Sequence, residues 1–192
     1  MRYLPTRQLA LLFALALPGL AAAANYTVQP ESSTLGFTGD FQGSEFEGNF
    51  GKWTALIRYD AADLGQSKFD VTVDMTSAST GDSDRDQALP GADFFNAMAY
   101  PTAHFVSTGF RRLGGQRVIA DGTLSLRGVS KPLSLEVTFT PQGTGATLDV
   151  SGTLNRLDYG VGGGEYADTS VIGATVKVTA HLTLAPKSVP AA

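Results

Sequence analysis

Residues 118–139 read VIADGTLSLRGVSKPLSLEVTF. In the first half, Val118, Ala120, Gly122, Leu124 and Leu126 alternate with Asp121, Thr123, Ser125 and Arg127, with Ile119 the one interruption. In the second half, Leu133, Leu135, Val137 and Phe139 alternate with Ser134, Glu136 and Thr138. Successive side chains on a strand point to opposite faces, so each half carries one apolar face and one polar face. Gly128 to Pro132 supplies a turn signal between them, and the stretch reads as a hairpin of two long antiparallel strands.

The same period of two recurs on both sides. Leu35, Phe37, Gly39 and Phe41 follow it, as do Phe69, Val71, Val73 and Met75, and later Ala174, Val176, Val178, Ala180 and Leu182. About eight strands are expected: 26–29 with 33–42, 46–60, 67–76, 102–109, 116–127, 132–140, 145–156 and 171–184. Strands this long, with water on one face, favour an all-β, eight-stranded antiparallel barrel, because closure removes exposed edges. One stretch breaks the rhythm. Residues 77–100, SASTGDSDRDQALPGADFFNAMAY, predict a short helical insertion around residues 84–98 that covers one end of the barrel. Ser83 or Asp84 would cap a helix over Arg85 to Leu89, and a second helical turn would hold Asp93 to Met98.

The chain has 192 residues, which suits one domain. Gly contributes 22 residues, a bias toward turns and tight strand packing. There is no Cys, which excludes disulfides, thiolate metal sites and cysteine nucleophiles. Lys and Arg total 14 against 18 Asp and Glu, and no basic patch appears, so nucleic acid is not an expected partner.

Residues 1–24 read as a secretory signal peptide. Arg2 and Arg7 precede the apolar run Leu9 to Leu17, Pro18 and Gly19 break it, and Ala21 to Ala24 offer a cleavage site. Cleavage after Ala24 would leave one domain of 168 residues, 25–192, with 12 basic and 18 acidic residues. The expected location is periplasmic or secreted.

Catalytic constellations are scarce. The two histidines, His104 and His181, fall on polar phases of different strands. Asp82, Asp84 and Asp86 resemble the start of a calcium loop, but Gln87 and Asp93 stand where that loop needs Gly and Glu. Gly160, Gly162, Gly163 and Gly164 do not match a phosphate-binding pattern, and no G-x-S-x-G elbow exists. No catalytic residue, metal ligand or cofactor is expected. The apolar faces leave two alternatives open. Small inward residues (Gly39, Ala55, Ala120, Gly122, Ala174 and Ala180) either leave room for an apolar ligand or accommodate bulky neighbours in a solid core.

Three motifs resemble the YceI family of bacterial periplasmic proteins. The first comprises Thr80-Gly81, Arg85-Asp86, Leu89, Asp93 to Asn96, Tyr100-Pro101, Phe105 and Ser107. The second runs from Gly122 to Pro132, and the third is Asn155-Arg156 with Asp158-Tyr159-Gly160. Two departures stand out: Ser32-Ser33 replaces the family's His-Ser pair, and Thr38 stands near a usual His. The resemblance implies a lipocalin-like barrel holding a long polyisoprenoid, an isoprenoid quinone or a prenyl phosphate, in its tunnel.

Tunnel-lining residues are then expected among Leu35, Phe37, Phe41, Ile57, Phe69, Val71, Val73, Ala120, Leu124, Val176 and Val178, with Phe94, Phe95 and Phe105 from the motifs. Arg85, Asp86, Pro101, Gly128, Pro132, Arg156 and Gly160 are expected to shape the fold, with Gly128 and Pro132 setting the hairpin turn. Arg85 and Asp86 would fix the insertion, and Arg156 would do the same or meet a ligand head group. The expected function is to carry or sequester the isoprenoid. A membrane redox partner and a homodimer through an uncovered barrel mouth belong to that expectation. Two alternatives stand beside it: an enzyme using Asp86 with His104 or Tyr159 on a small apolar substrate, and an accessory protein that binds no ligand.

Overall fold

Every strand pairing is antiparallel, and the ladder closes on itself. The computed structural model describes residues 24–187; the expected leader lies outside them apart from Ala24. Among the described residues there are eleven strands: β1 Ala24–Val28, β2 Thr34–Phe41, β3 Ser44–Phe50, β4 Trp53–Tyr59, β5 Lys68–Asp74, β6 Ala78–Ser79, β7 Thr102–Gly114, β8 Arg117–Leu126, β9 Val129–Gln142, β10 Gly145–Asn155 and β11 Thr175–Pro186. One α-helix, α1, spans Ser83–Ala88. The circuit β1-β4-β5-β7-β8-β9-β10-β11 returns to β1 through Tyr26 opposite Pro186, giving a closed eight-stranded barrel.

The expected segments 26–29 and 33–42 are joined by a turn at Pro30–Ser32, so β1 and β2 form two halves of one wall position. The expected strand 46–60 is likewise broken at Gly51–Lys52 into β3 and β4. β2 pairs with β3, whereas β1 pairs with β4. The break is held from outside the ladder. Gly51 N–H donates to Ser77 O at 3.0 Å, and Lys52 N–H donates to Ser77 Oγ at 3.0 Å.

Three local expectations change. Asp82, not Ser83 or Asp84, caps α1, because its carboxylate accepts from both Asp84 N–H and Arg85 N–H. The second helical turn does not form. Residues 89–100 are consecutive turns, and Asn96 stands at φ +49°, a left-handed conformation that ends any helix. Pro132 is not part of the hairpin turn. That turn is Arg127-Gly128, both at positive φ, as a tight two-residue hairpin requires. Pro132 sits inside β9, where β9 pairs with β8 but not with β10, so its missing N–H faces an unpaired edge.

The interior divides in two. One cluster includes Tyr59, Phe139, Val118, Val137 and Leu184, with Tyr59 stacked on Phe139 at 4.4 Å. The other, including Phe37, Met75, Phe95, Leu126 and Tyr159, lies under the insertion. Strand glycines are paired with rings: a Cβ on Gly122 would fall 2.4 Å from the Phe105 ring, and one on Gly48 2.3 Å from Phe37. The insertion is tied down by Asp86, whose carboxylate accepts from Ser79 Oγ at 2.7 Å, Thr80 N–H at 2.6 Å and Thr80 Oγ1 at 2.8 Å. Arg85 lies over the Phe46 ring at 4.9 Å and reaches Thr80 Oγ1 at 3.3 Å.

Two outcomes follow from this packing. Gly122→Ala is expected to destabilise the protein by about 1–3 kcal/mol in urea denaturation, because Phe105 must leave its position. The hydrogen bonds from Ser79, then Thr80, hold the Asp86 carboxyl below the usual carboxylate range. A depressed folded-state pKa stabilises above the unfolded pKa of about 3.9 and loses that contribution as pH falls below it. Asp86→Asn should therefore be less stable than the parent at pH 7, with the gap narrowing at pH 3 in the same assay.

A candidate ligand tunnel and its polar clamp

Between the two clusters lies a cavity of about 220 Å³ with almost wholly apolar walls. Twelve of the fourteen expected lining residues stand on it: Leu35, Phe37, Ile57, Phe69, Val71, Val73, Phe94, Phe95, Phe105, Leu124, Val176 and Val178. Two do not. Phe41 is in phase with Phe37 but lies at the far end of β2, 40% exposed and bridged to Ile172 beyond the last inner ring. Ala120 is fully buried in the solid half, opposite Leu135 and Phe110.

The two alternatives for the small residues divide by position. Gly39 and Gly122 accommodate the rings of Phe46 and Phe105, although Gly39 still borders the cavity, whereas Ala55 and Ala180 leave room in it. Further walls come from Trp53, Phe50, Met75, Leu133, Leu148 and Leu154. Leu133, Leu148 and Leu154 lie in recognised strands and were reachable by extending the alternation.

One end of the tunnel is closed by the insertion and by residues 156–173. Their organiser is Arg156, which is only 3% exposed. Its Nε donates to Gly173 O at 3.0 Å, Nη1 to Val161 O at 2.9 Å and to Gly162 O, and Nη2 to Tyr166 O and Ile172 O at 2.8 Å each. All five guanidinium donors are thus used, every one on a backbone carbonyl. Burial pulls the arginine pKa below its ordinary value. The guanidinium neither reaches the insertion's carboxylates nor keeps a donor for a ligand head; it clamps the segment Val161–Gly173. Gly160, at φ +68°, turns the chain into that segment.

The residues named for an enzyme do not converge through their hydrogen bonds. Asp86 faces Ser79 and Thr80, while His104 Nε2 pairs with Asp70 Oδ1 at 2.8 Å. Tyr159 is buried, which raises its pKa. His181 Nδ1 pairs with Asp149 Oδ1 at 2.6 Å. Among the described residues no group of three or more His, Asp or Glu gathers as a metal site.

The sequence matches the YceI-like domain family over residues 26–184. The chain belongs to the YceI-like family. A YceI-like relative, a UPF0312 protein of Pseudomonas savastanoi pv. phaseolicola, is 33% identical over 164 residues, covering 81% of this chain and 85% of the relative. Among solved YceI-like folds, BcnA of Burkholderia cenocepacia superposes with a TM-score of 0.79 at 29% identity, covering 82% of this chain and 99% of BcnA. A polyisoprenoid-binding domain from Saccharophagus degradans superposes with a TM-score of 0.63 at 17% identity, covering 86% of this chain and all of that domain.

Arg156→Lys keeps the charge but loses the planar fork. It is expected to cost at least about 1.5–3 kcal/mol in urea denaturation, since several carbonyls lose a charged donor. Limited proteolysis should show new cleavage within residues 161–173.

Proposed function

We propose that this protein binds a long isoprenoid chain in the tunnel, of the quinone or prenyl-phosphate type, and carries or sequesters it without changing it. The observation that carries this reading is a cavity walled almost wholly by carbon inside an otherwise well-packed barrel. Such a wall holds a hydrocarbon through burial alone, at about 0.8 kcal/mol per methylene, and needs no reactive group. At about 220 Å³ the cavity is small beside the roughly 300–1,000 Å³ of common ligand pockets, which suits a chain better than a bulky ring system. The likeness to a polyisoprenoid-binding domain supports the fold in which this binding would occur. A leader over residues 1–24 would export the protein to the periplasm, where a membrane-derived lipid needs an apolar shelter.

The test is native mass spectrometry of gently purified protein, followed by solvent extraction. The expected result is a bound mass released as an isoprenoid. Protein that stays unliganded after incubation with an isoprenoid quinone and with a prenyl phosphate would overturn the proposal. Ala180→Phe places a ring in the tunnel and should lower affinity for either ligand by about tenfold or more. Its circular dichroism spectrum should stay that of the parent.

A further inference from the structure

The barrel wall has a gap. On one side the β2–β3 ladder ends at Gly36 opposite Asn49; on the other the β1–β4 ladder begins at Tyr26 opposite Ile57. Between those pairs the chain arches through Pro30–Ser32, and residues 50–56 have no ladder partner across the gap. The arch is held to β11 instead: Thr183 N–H donates to Ser33 Oγ at 3.0 Å, and Thr183 Oγ1 donates to Ser32 O at 2.9 Å. It therefore stands away from β4 by construction.

A groove of about 1020 Å³ fills this gap on the outside. Leu35, Phe50, Trp53 and Ala55 line both the groove and the tunnel, so the groove's floor is the tunnel's side wall. The groove is also lined by Lys52 and Lys187, both exposed, and by one carboxylate, Asp74. Among the described residues neither lysine forms a salt bridge within 4.0 Å. The Asp74 carboxylate already accepts from Thr76 N–H at 2.9 Å and Thr76 Oγ1 at 2.7 Å. Of the basic groups in the tunnel's own lining, Arg156 has committed every donor to backbone carbonyls, and His104 Nε2 is already paired with Asp70 Oδ1 at 2.8 Å.

We propose that this groove is a side portal: an apolar chain reaches the tunnel between Leu35, Phe50, Trp53 and Ala55, while its anionic, phosphate-type head stays outside beside Lys52 and Lys187. The inference rests on the reading that the tunnel holds such a chain. It adds where the chain crosses the wall and which charge the head carries. Two ammonium groups over one carboxylate leave a net positive groove, and charge-assisted hydrogen bonds favour phosphate over a neutral hydroxyl there.

The experiment compares the parent with the double variant Lys52→Glu/Lys187→Glu, using geranylgeranyl phosphate and geranylgeraniol, which share one chain. Trp53 is the sole tryptophan and sits at the portal, so its emission reports occupancy directly. The variant is expected to lose about tenfold or more in affinity for the phosphate while binding geranylgeraniol as the parent does. Equal phosphate affinity in the two proteins, or Trp53 emission unmoved by ligand that native mass spectrometry shows to be bound, would overturn the portal and leave the tunnel reading standing. Failure of the parent to bind either molecule would overturn both.

Discussion

A buried guanidinium with no carboxylate partner is the constraint on which one end of this barrel depends. Burying a charge is costly unless it is hydrogen-bonded throughout. Arg156 meets that condition with five bonds to the carbonyls of Val161, Gly162, Tyr166, Ile172 and Gly173. The requirement works in both directions. The segment is fixed because the arginine needs acceptors, and the arginine stays charged because the irregular segment has carbonyls that no strand has claimed. Phe94 then rests against Tyr166, with ring centroids at 5.1 Å, so the insertion and the clamped segment close the barrel together.

The rest of the interior follows from matching rings to missing side chains. Phe37 over Gly48, Phe46 over Gly39 and Phe105 over Gly122 let large aromatics lie flat across neighbouring strands. Rings placed this way fill volume beside the backbone and share the cavity wall with smaller residues such as Ala55, Val178 and Ala180. The solid half, with Tyr59 on Phe139, stops the cavity from running the full height. A cavity of small volume, covered at one end, is thus a consequence of where glycine and aromatic residues fall on adjacent strands.

Much of this was legible in the chain itself. The alternation in 118–139 fixes the inward phase of β8 and β9, and the same rule found the walls from Leu35 to Val178. It failed where phase and depth part company. Phe41 has the right phase but lies past the barrel's end, and Ala120 has the right phase but sits in the packed half. Whether a glycine leaves empty space or receives a ring is settled only by the neighbouring strand's register, so Gly39 and Gly122 stayed ambiguous in the sequence. Arg156 was visible as a motif residue, but its partners are backbone carbonyls, which every residue possesses and no sequence marks. The gap between β2–β3 and β1–β4 depends on two breaks, at Pro30 and at Gly51, facing each other across the wall. The expected bounds 26–29 and 33–42 already left residues 30–32 out, whereas Gly51–Lys52 looked like an uninterrupted strand.

The small volume of the cavity carries a consequence for any chain that occupies it. A space of about 220 Å³ admits few rotamers, so a fully saturated chain must give up torsional freedom about every bond it inserts. A chain whose torsions are already restricted by regularly spaced double bonds and methyl branches has less freedom to lose. It enters closer to its bound shape, and more of the contact free energy remains as affinity. A confined cavity would therefore discriminate by stiffness, through entropy, between hydrocarbons that bury the same surface.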